Sequence, residues 1–198
     1  AGSYASISSF SKDVDGYLGT SEINESVTVP TGTYNYDISR PDNLESAKID
    51  GVEIAVQHMF TSLPAPFDGL GVIANMTMVD SETSTNEGEA KLPLIGLGDS
   101  SNFILFYEKD ALQIRVAYNK RDRFLQNKPR SNTDGYYVDD YYQVDVSASY
   151  DINDNFTVFA EGINVTNELY IKTAEYANQV LEVTENGPRY TIGVRASF

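Results

Sequence analysis

The last ten residues of the chain alternate between apolar and polar side chains without interruption. The apolar positions are Tyr190, Ile192, Val194, Ala196 and Phe198. The positions between them are Arg189, Thr191, Gly193, Arg195 and Ser197. Successive side chains of a β-strand point to opposite faces, so this segment predicts a strand with one apolar face and one polar face. A terminal aromatic residue is unusual in a soluble sheet, because chain ends tend to fray.

The same alternation of apolar and polar side chains recurs upstream. It is regular in residues 52–57, 72–78, 112–121 and 142–152. Residues 102–108 are apolar on both faces, and the parity of 156–167 slips near Gly162, as a bulge at glycine would cause. Together with the serine-rich segment 3–18 and the terminal segment, these patterns predict eight strands, and no segment has a convincing helical period.

Short and long connections alternate between the predicted strands. The short ones, at 63–69, 108–110 and 151–155, are rich in Pro, Gly, Asn and Asp, which favour turns. The long polar ones span residues 20–43, 82–98, 125–140 and 169–187. Outer-membrane barrels have this arrangement, with short turns on the periplasmic side and long loops outside. We therefore predict an all-β fold, an antiparallel transmembrane β-barrel.

Composition is compatible with that fold and excludes several others. No stretch approaches the ~20 apolar residues of a spanning helix, whereas a barrel strand needs only ~10 residues, half of them apolar. The net charge of −15 argues against nucleic-acid binding, which requires a basic surface. The chain has no cysteine, so it has no disulfide and no thiolate site. A secreted barrel needs a signal peptide, and we expect that it was removed or that Ala1 is not the start of the gene product.

Several segments are similar, in order and spacing, to those of one protein family. They are residues 46–54, 63–71, 106–110, 137–141, 148–154, 159–167 and 187–198. On these segments the chain resembles the C-terminal part of the barrel of TonB-dependent outer-membrane receptors, over nearly its whole length. The resemblance implies a barrel of about 22 strands closed by an N-terminal plug. Residues 1–198 would supply about eight of these strands, and the plug would lie outside this chain.

The resemblance also implies a function. Receptors of this family import scarce nutrients (iron chelates such as siderophores, cobalamin or oligosaccharides) across the outer membrane of Gram-negative bacteria. The implied partners are outer-membrane lipid, the barrel-assembly machinery, the plug with the remaining strands, a small nutrient ligand, and TonB acting through the plug. No catalytic residue and no cofactor are expected, so the chain is not expected to be an enzyme.

Two sets of residues on the strands are assigned roles. In the family, the barrel-assembly machinery recognises a terminal aromatic residue preceded by apolar residues at alternate positions, here Tyr190, Ile192, Val194, Ala196 and Phe198. Such recognition is physically reasonable, because an extended strand can add to an exposed sheet edge through backbone hydrogen bonds. The alternation of side chains along the strands predicts that a second set of residues faces the lumen of the barrel. There these residues are expected to pair with one another and to contact the plug: Arg115, Asp145, Glu161 and Arg195. A charge facing lipid near mid-membrane would cost ~2–4 kcal/mol, so the face of the sheet on which each charged residue lies is strongly fixed.

The connection 125–140 and its flanks carry the candidate ligand-binding residues. Tyrosine rings stack on sugars or aromatic ligands, and carboxylates supply hydrogen bonds. Arginines would meet an anionic ligand such as an iron chelate. The candidates are Tyr136, Tyr137, Asp139, Asp140, Tyr141, Arg121 and Arg123. The alternative interpretation is that the tyrosines form an outer aromatic girdle and that the charges lie in water. Connections 20–43 and 169–187 are equally plausible contact surfaces.

Other motifs are incomplete, and two other architectures stay open. Asp13 to Gly16 begins like a calcium loop but lacks the later ligands. The single His58 has no partners for a zinc site or a catalytic triad, so no metal is expected. A stand-alone eight-stranded outer-membrane barrel, acting as a small porin or an adhesin, is one alternative. A soluble carbohydrate-binding β-sandwich is the other, and a need for detergent would exclude it.

Overall fold

A computed structural model describes residues 2–84, 93–127 and 135–197 of the chain. Within these ranges it contains one short 3-10 helix, Phe67–Gly69, and twelve β-strands. The strands are β1 (Tyr4–Val29), β2 (Gly32–Met59), β3 (Leu70–Ser84), β4 (Ser100–Lys109), β5 (Leu112–Arg121), β6 (Phe124–Asn127), β7 (Tyr136–Val138), β8 (Tyr141–Asn153), β9 (Phe156–Ile163), β10 (Tyr170–Thr173), β11 (Val180–Thr184) and β12 (Arg189–Ala196). No helix in the described ranges is long and apolar enough to cross a membrane.

Eight of the strands form one antiparallel sheet, which we call the wall. Its order is β1-β2-β3-β4-β5-β8-β9-β12, and the eight strands predicted from the sequence are confirmed. Each strand pairs with the next wall strand along the chain, as in a meander. The described sheet is open, with β1 at one edge and β12 at the other.

The two faces of the wall differ in composition and in exposure. On the outer face, apolar side chains of neighbouring strands lie in register, as in the row Ile114, Ala148, Ala160 and Ile192. Many of them are open to the surroundings, and Ile192 is 86% exposed. On the inner face of β4, Ile104 and Phe106 are buried, whereas Phe103 on its outer face is 47% exposed. This difference is expected for a sheet that curves around its inner face, and it explains why β4 is apolar on both sides.

Aromatic rings lie over glycines at three places on the inner face. The cross-strand pairs are Phe10 with Gly51, Phe106 with Gly71, and Phe159 with Gly193. In each pair, a Cβ atom on the glycine would overlap the phenylalanine ring. Glycine in a strand interior often marks such a close approach, and the ring compensates for the missing side chain.

The predicted bulge near Gly162 is wrong. The β9–β12 pairing runs without a shift from Phe156 to Ile163, and the register shift lies in the β8–β9 pairing, between Asp151 and Asn153. The alternation of apolar and polar residues in 156–167 looks interrupted in the sequence because Phe159 is apolar yet faces inward. It occupies the space that Gly193 leaves free on β12.

Residues 20–43, predicted as a polar connection, continue β1 and β2 as a two-stranded hairpin. The pairing extends to Val29 and Gly32, around a turn at Pro30 and Thr31. One face of the hairpin carries cross-strand hydrogen bonds, from Asn24 Nδ2 to Asp37 Oδ1 at 2.8 Å and from Ser26 Oγ to Asn35 Oδ1 at 2.7 Å. These polar pairs stabilise strands that composition alone marks as a loop.

The connections 125–140 and 169–187 fold into a second sheet, which we call the cap. Its order is β11-β10-β7-β6, and β7 pairs with β10 through Val138 and Lys172. The cap has a small core of its own, because Leu125 and Val138 are each 1% exposed and Thr173 is fully buried. The long loops are therefore ordered around that core over their described parts.

We predict that Gly71→Ala destabilises the wall. The new Cβ would lie 2.6 Å from Cε2 of Phe106, a buried ring that cannot move outward without losing its packing. Overpacking of this kind costs typically about 1–3 kcal/mol. The free energy of unfolding, measured by urea titration of the detergent-solubilised protein with circular dichroism, should fall by that amount. Gly2→Ala is the control, since nothing lies within 4 Å of a Cβ at Gly2. Equal stability of the two variants would contradict the prediction.

Candidate ligand-binding cap and lumen-facing charges

Arg123 joins three segments of the cap. Its guanidinium lies over the ring of Tyr137, with 3.9 Å between the guanidinium carbon and the ring centroid. Its Nη2 donates to the carbonyl oxygens of Ala174 and Glu175, each at 2.8 Å. Its backbone N–H donates to Asp140 Oδ1 at 2.7 Å. Arg123 therefore holds β7 and the turn between β10 and β11 against the start of β6.

The neighbouring cations are also bound within the protein. Arg121 donates to the carbonyl oxygen of Gly96 and stacks on Phe124, with its guanidinium carbon 3.8 Å from the ring centroid. Lys120 pairs with Asp122 at 2.6 Å. Both arginines predicted to meet an anionic ligand thus have structural contacts in this cap.

The predicted tyrosines and aspartates lie in or beside the cap but differ in their surroundings. Tyr136 is 40% exposed, whereas Tyr137 lies under Arg123. Asp139 accepts a hydrogen bond from the backbone N–H of Asp140 at 3.1 Å. Tyr141 meets Tyr170 edge to face at 6.2 Å between ring centroids, and its hydroxyl donates to Gln143 Oε1 at 2.9 Å. Residues 128–134 of the same loop lie outside the described ranges.

A cavity of about 310 Å³ lies between the cap and the inner face of β3. Its polar lining residues are Asp80, Ser81, Asp99, Asp122, Arg123 and Tyr137, and its apolar ones include Leu97 and Phe124. Asp99 Oδ1 accepts the backbone N–H of Val79 at 2.8 Å, which ties the segment before β4 to β3. Sequence reasoning missed Asp99, although an aspartate after glycine at a strand start is a turn signal.

The pair Lys172–Glu182 links β10 to β11 across the cap, with Nζ and Oε2 2.9 Å apart. The hydrogen bond from Lys172, followed by that from Thr184, lowers the pKa of Glu182 below its ordinary value of 4.5. This contribution to stability is present above that ordinary value and is lost as the pH falls through the lowered pKa. The pair is exposed, so its contribution is small.

The charges predicted to face the lumen lie on one face of the wall. Arg115 of β5 and Glu161 of β9 are both register partners of Ser147, Asp145 pairs with Ala117, and Arg195 with Thr157. Mutual pairing was expected, but no salt bridge joins these four charges within the described part of the chain. Asp145 instead accepts hydrogen bonds from Gln143 Nε2 at 2.7 Å and from the backbone N–H of Asn164 at 2.9 Å. It thereby fixes the turn that leads from β9 into the cap.

The terminal strand presents its apolar side chains on the outer face, where Tyr190 is 69% and Val194 is 64% exposed. Phe198 lies outside the described ranges. The end of β12 is tied to the turn between β8 and β9, because Ser197 exchanges two hydrogen bonds with Asn155. The Ser197 N–H donates to the carbonyl of Asn155 at 2.9 Å, and Asn155 Nδ2 donates to the carbonyl of Ser197 at 2.7 Å.

An antiparallel wall with an apolar outer face, an inner face that carries charges, and a second sheet formed by two of its long connections is typical of the wall of an outer-membrane β-barrel. Residues 1–165 match the family model described as TonB dependent receptor-like, beta-barrel, and the chain belongs to this family. The matched range ends before β10, β11 and β12. No curated protein and no solved structure matches the chain. The family consists of outer-membrane receptors that act in transport rather than as enzymes.

The described residues contain no group of three or more His, Asp or Glu side chains placed to hold a metal ion. His58 lies beside Ser3 and Phe60 near the start of the wall, with 4.7 Å between the rings of His58 and Phe60.

We predict that Arg123→Gln loosens the cap. The change removes a cation–π contact and two backbone hydrogen bonds, each worth about 0.5–1.5 kcal/mol. Protease cleavage within residues 169–187, followed by mass spectrometry of intact outer-membrane vesicles, should accelerate on the order of tenfold. Arg40→Gln is the matched control, because Arg40 forms an exposed pair with Glu25 in the described part of the hairpin, away from the cap. An equal cleavage rate in both variants would show that Arg123 does not hold the cap.

Proposed function

We propose that this chain is the C-terminal part of a TonB-dependent receptor that imports a scarce nutrient across the outer membrane of a Gram-negative bacterium. The observation that carries the proposal is the separation of the two faces of the wall. The outer face exposes apolar side chains, while the inner face carries charges such as Arg115, Glu161 and Arg195. A soluble β-sandwich would bury the apolar face against a second sheet.

The open edges of the wall support a larger barrel rather than a small porin or adhesin. Unpaired strand edges are not tolerated in lipid, since each free N–H and C=O group would go unsatisfied. In the proposed receptor, further strands pair with β1 and β12 and close the wall. The inner-face charges then contact a plug, which relays the action of TonB.

The cap is proposed to contact the nutrient. Tyr136 offers an exposed ring, and the cavity beneath the cap is at the lower end of the usual size range of ligand pockets, about 300–1,000 Å³. The cations Lys120, Arg121 and Arg123 already have protein partners. In the described part of the cap, an anionic iron chelate would therefore meet cations that already have partners, which favours a neutral ligand such as an oligosaccharide.

The terminal strand is proposed to be the signal that the barrel-assembly machinery reads. Its apolar residues Tyr190, Ile192 and Val194 are among the most exposed large apolar residues in the described part of the chain, and Phe198 completes their alternation in the sequence. The strand also lies at the free edge of the described sheet. An edge strand can be extended by another chain through backbone hydrogen bonds.

The test is uptake by cells that express the full-length receptor. Radiolabelled neutral oligosaccharides, ferric siderophores and cobalamin are supplied separately, with and without TonB. We expect TonB-dependent uptake of one class, neutral oligosaccharides, and its loss when residues 125–140 are exchanged. Deletion of Phe198 should reduce uptake by reducing the amount of receptor in the outer membrane, measured on blots. Correct insertion without uptake of any class would refute the import function, and unchanged insertion without Phe198 would refute the signal.

A further inference from the structure

Each strand of the cap is joined directly to one strand of the wall. Along the chain, β6 follows β5, β7 precedes β8, β10 follows β9 and β11 precedes β12, with no other strand in between. The cap order β6-β7-β10-β11 therefore repeats the wall order β5-β8-β9-β12. The last strand of the cap, β11, thus lies on the same side of the molecule as β12, which is an open edge of the wall.

The first strand of the cap, β6, is covered by a connection of the neighbouring wall strand. Residues 93–99 lead into β4, which pairs with β5 in the wall. Within this connection, the Gly96 N–H donates to the carbonyl oxygen of Leu125 on β6 at 2.8 Å, and Arg121 donates to the carbonyl oxygen of Gly96. One edge of the cap is therefore contacted by the connection of the wall strand that lies next to β5.

The backbone of β11 points to an edge at which the described part of the chain places no strand. On the neighbouring strand β10, the carbonyl oxygen of Ile171 accepts a hydrogen bond from the Asp139 N–H at 3.0 Å, on the side of β7. Ile171 is the register partner of Val183. When two such partners do not bond to each other, both point their N–H and C=O groups away from the pair. Val183 therefore directs these groups to the open edge, whereas those of Thr184 face β10.

The side chains of β11 are exposed as well. Val180, Leu181 and Val183 are each more than half exposed. An exposed apolar edge strand is a template for pairing with another strand, and natural proteins often block such edges with lysine or proline. β11 contains neither of these residues, and its one charge, Glu182, is paired with Lys172 on β10. The strand thus has the properties of a site to which a further strand adds.

We infer that a strand from the upstream part of the receptor pairs with β11 and becomes a fifth strand of the cap. It belongs to the extracellular connection of the wall strand that pairs with β12, by the same arrangement that is seen at β6. Its backbone bonds to the edge groups of Val183, and its apolar side chains pack beside Leu181 and Val183. The seam at which the wall closes is thereby also joined outside the membrane. This inference rests on the proposed larger barrel, which supplies the upstream strand.

Amide hydrogen exchange of the full-length receptor, resolved to single residues by mass spectrometry, tests the pairing. We expect the amide of Val183 to exchange at least about a hundredfold more slowly than an unpaired amide, as that of Thr184 does, because both are hydrogen-bonded. Thr184 is the matched control, since it lies on the same strand and bonds to β10 with or without a fifth strand. Free exchange at Val183 with slow exchange at Thr184 would overturn the inference.

Photo-cross-linking identifies the partner strand. The chain has no cysteine, so Val183→Cys can carry a photoreactive label in a receptor without other cysteines. The control is Tyr136→Cys, an exposed position on β7, which is separated from the open edge by β10 and β11. We expect cross-links from position 183, but not from position 136, to an extracellular connection encoded upstream of Ala1. Cross-links to a second copy of the receptor or to another protein, or none at all, would overturn the inference.

A failure of this inference can be separated from a failure of the proposed barrel. Migration in SDS gels before and after boiling reports closure of the wall, because a closed barrel stays folded in SDS until it is heated. Migration that changes on boiling, together with free exchange at Val183, would refute only the fifth cap strand. Migration that does not change on boiling would refute the closed barrel itself.

Discussion

Strand register is the constraint on which the rest of this structure depends. Side chains alternate with a period of two, so a slip of one residue would turn every apolar side chain of a strand from one face to the other. The wall keeps its register from the Tyr4–Gln57 pair of β1 and β2 to the Ala196–Phe156 pair of β12 and β9. The single shift in the described wall lies at the end of β8, between Asp151 and Asn153, next to the turn, and leaves the faces intact. Because the register is continuous, the exposed apolar side chains stay on the outer face and the charged side chains stay on the inner face.

Within the described part of the wall, side chains of the inner face make contacts with near neighbours. Asp145 holds the turn at Asn164, a residue that is 4% exposed and has a positive φ of 52°. Phenylalanine rings cover glycines of neighbouring strands. These contacts shape the wall and connect it to the cap, while Arg115 and Glu161 remain on the inner face. The cap in turn is held by Arg123 and by the core around Leu125 and Val138. The described part of the cap is therefore held by its own contacts, so a ligand bound there, as we propose, would meet a surface arranged before it binds.

Alternation made five of the eight wall strands predictable, because each of them presents one apolar face and therefore repeats with period two. The other three, in 3–18, 102–108 and 156–167, were predicted although their alternation is weak or interrupted. The same pattern runs through Ile23, Val27 and Val29 in the hairpin, where the polar composition of 20–43 hid it. The strands of the cap could not be predicted from alternation. Its strands have three to five residues, too few for a period, and β7 finds its partner β10 only after β8 and β9. Arg123 was identified as a candidate residue, but its role depends on carbonyl groups of Ala174 and Glu175 that no local pattern indicates.

The most direct measurement of the central claim compares neighbouring residues of one strand. The chain has no cysteine, so Val146→Cys and Ser147→Cys can each carry a polarity-sensitive fluorophore in a receptor without other cysteines. After reconstitution into vesicles, lipids bearing a nitroxide quencher in the acyl chain should quench the probe at position 146 strongly and the probe at 147 weakly. Val194→Cys and Arg195→Cys should repeat this contrast on β12. Equal quenching at the two positions of a pair, or stronger quenching at 147 and 195, would contradict the two-faced wall.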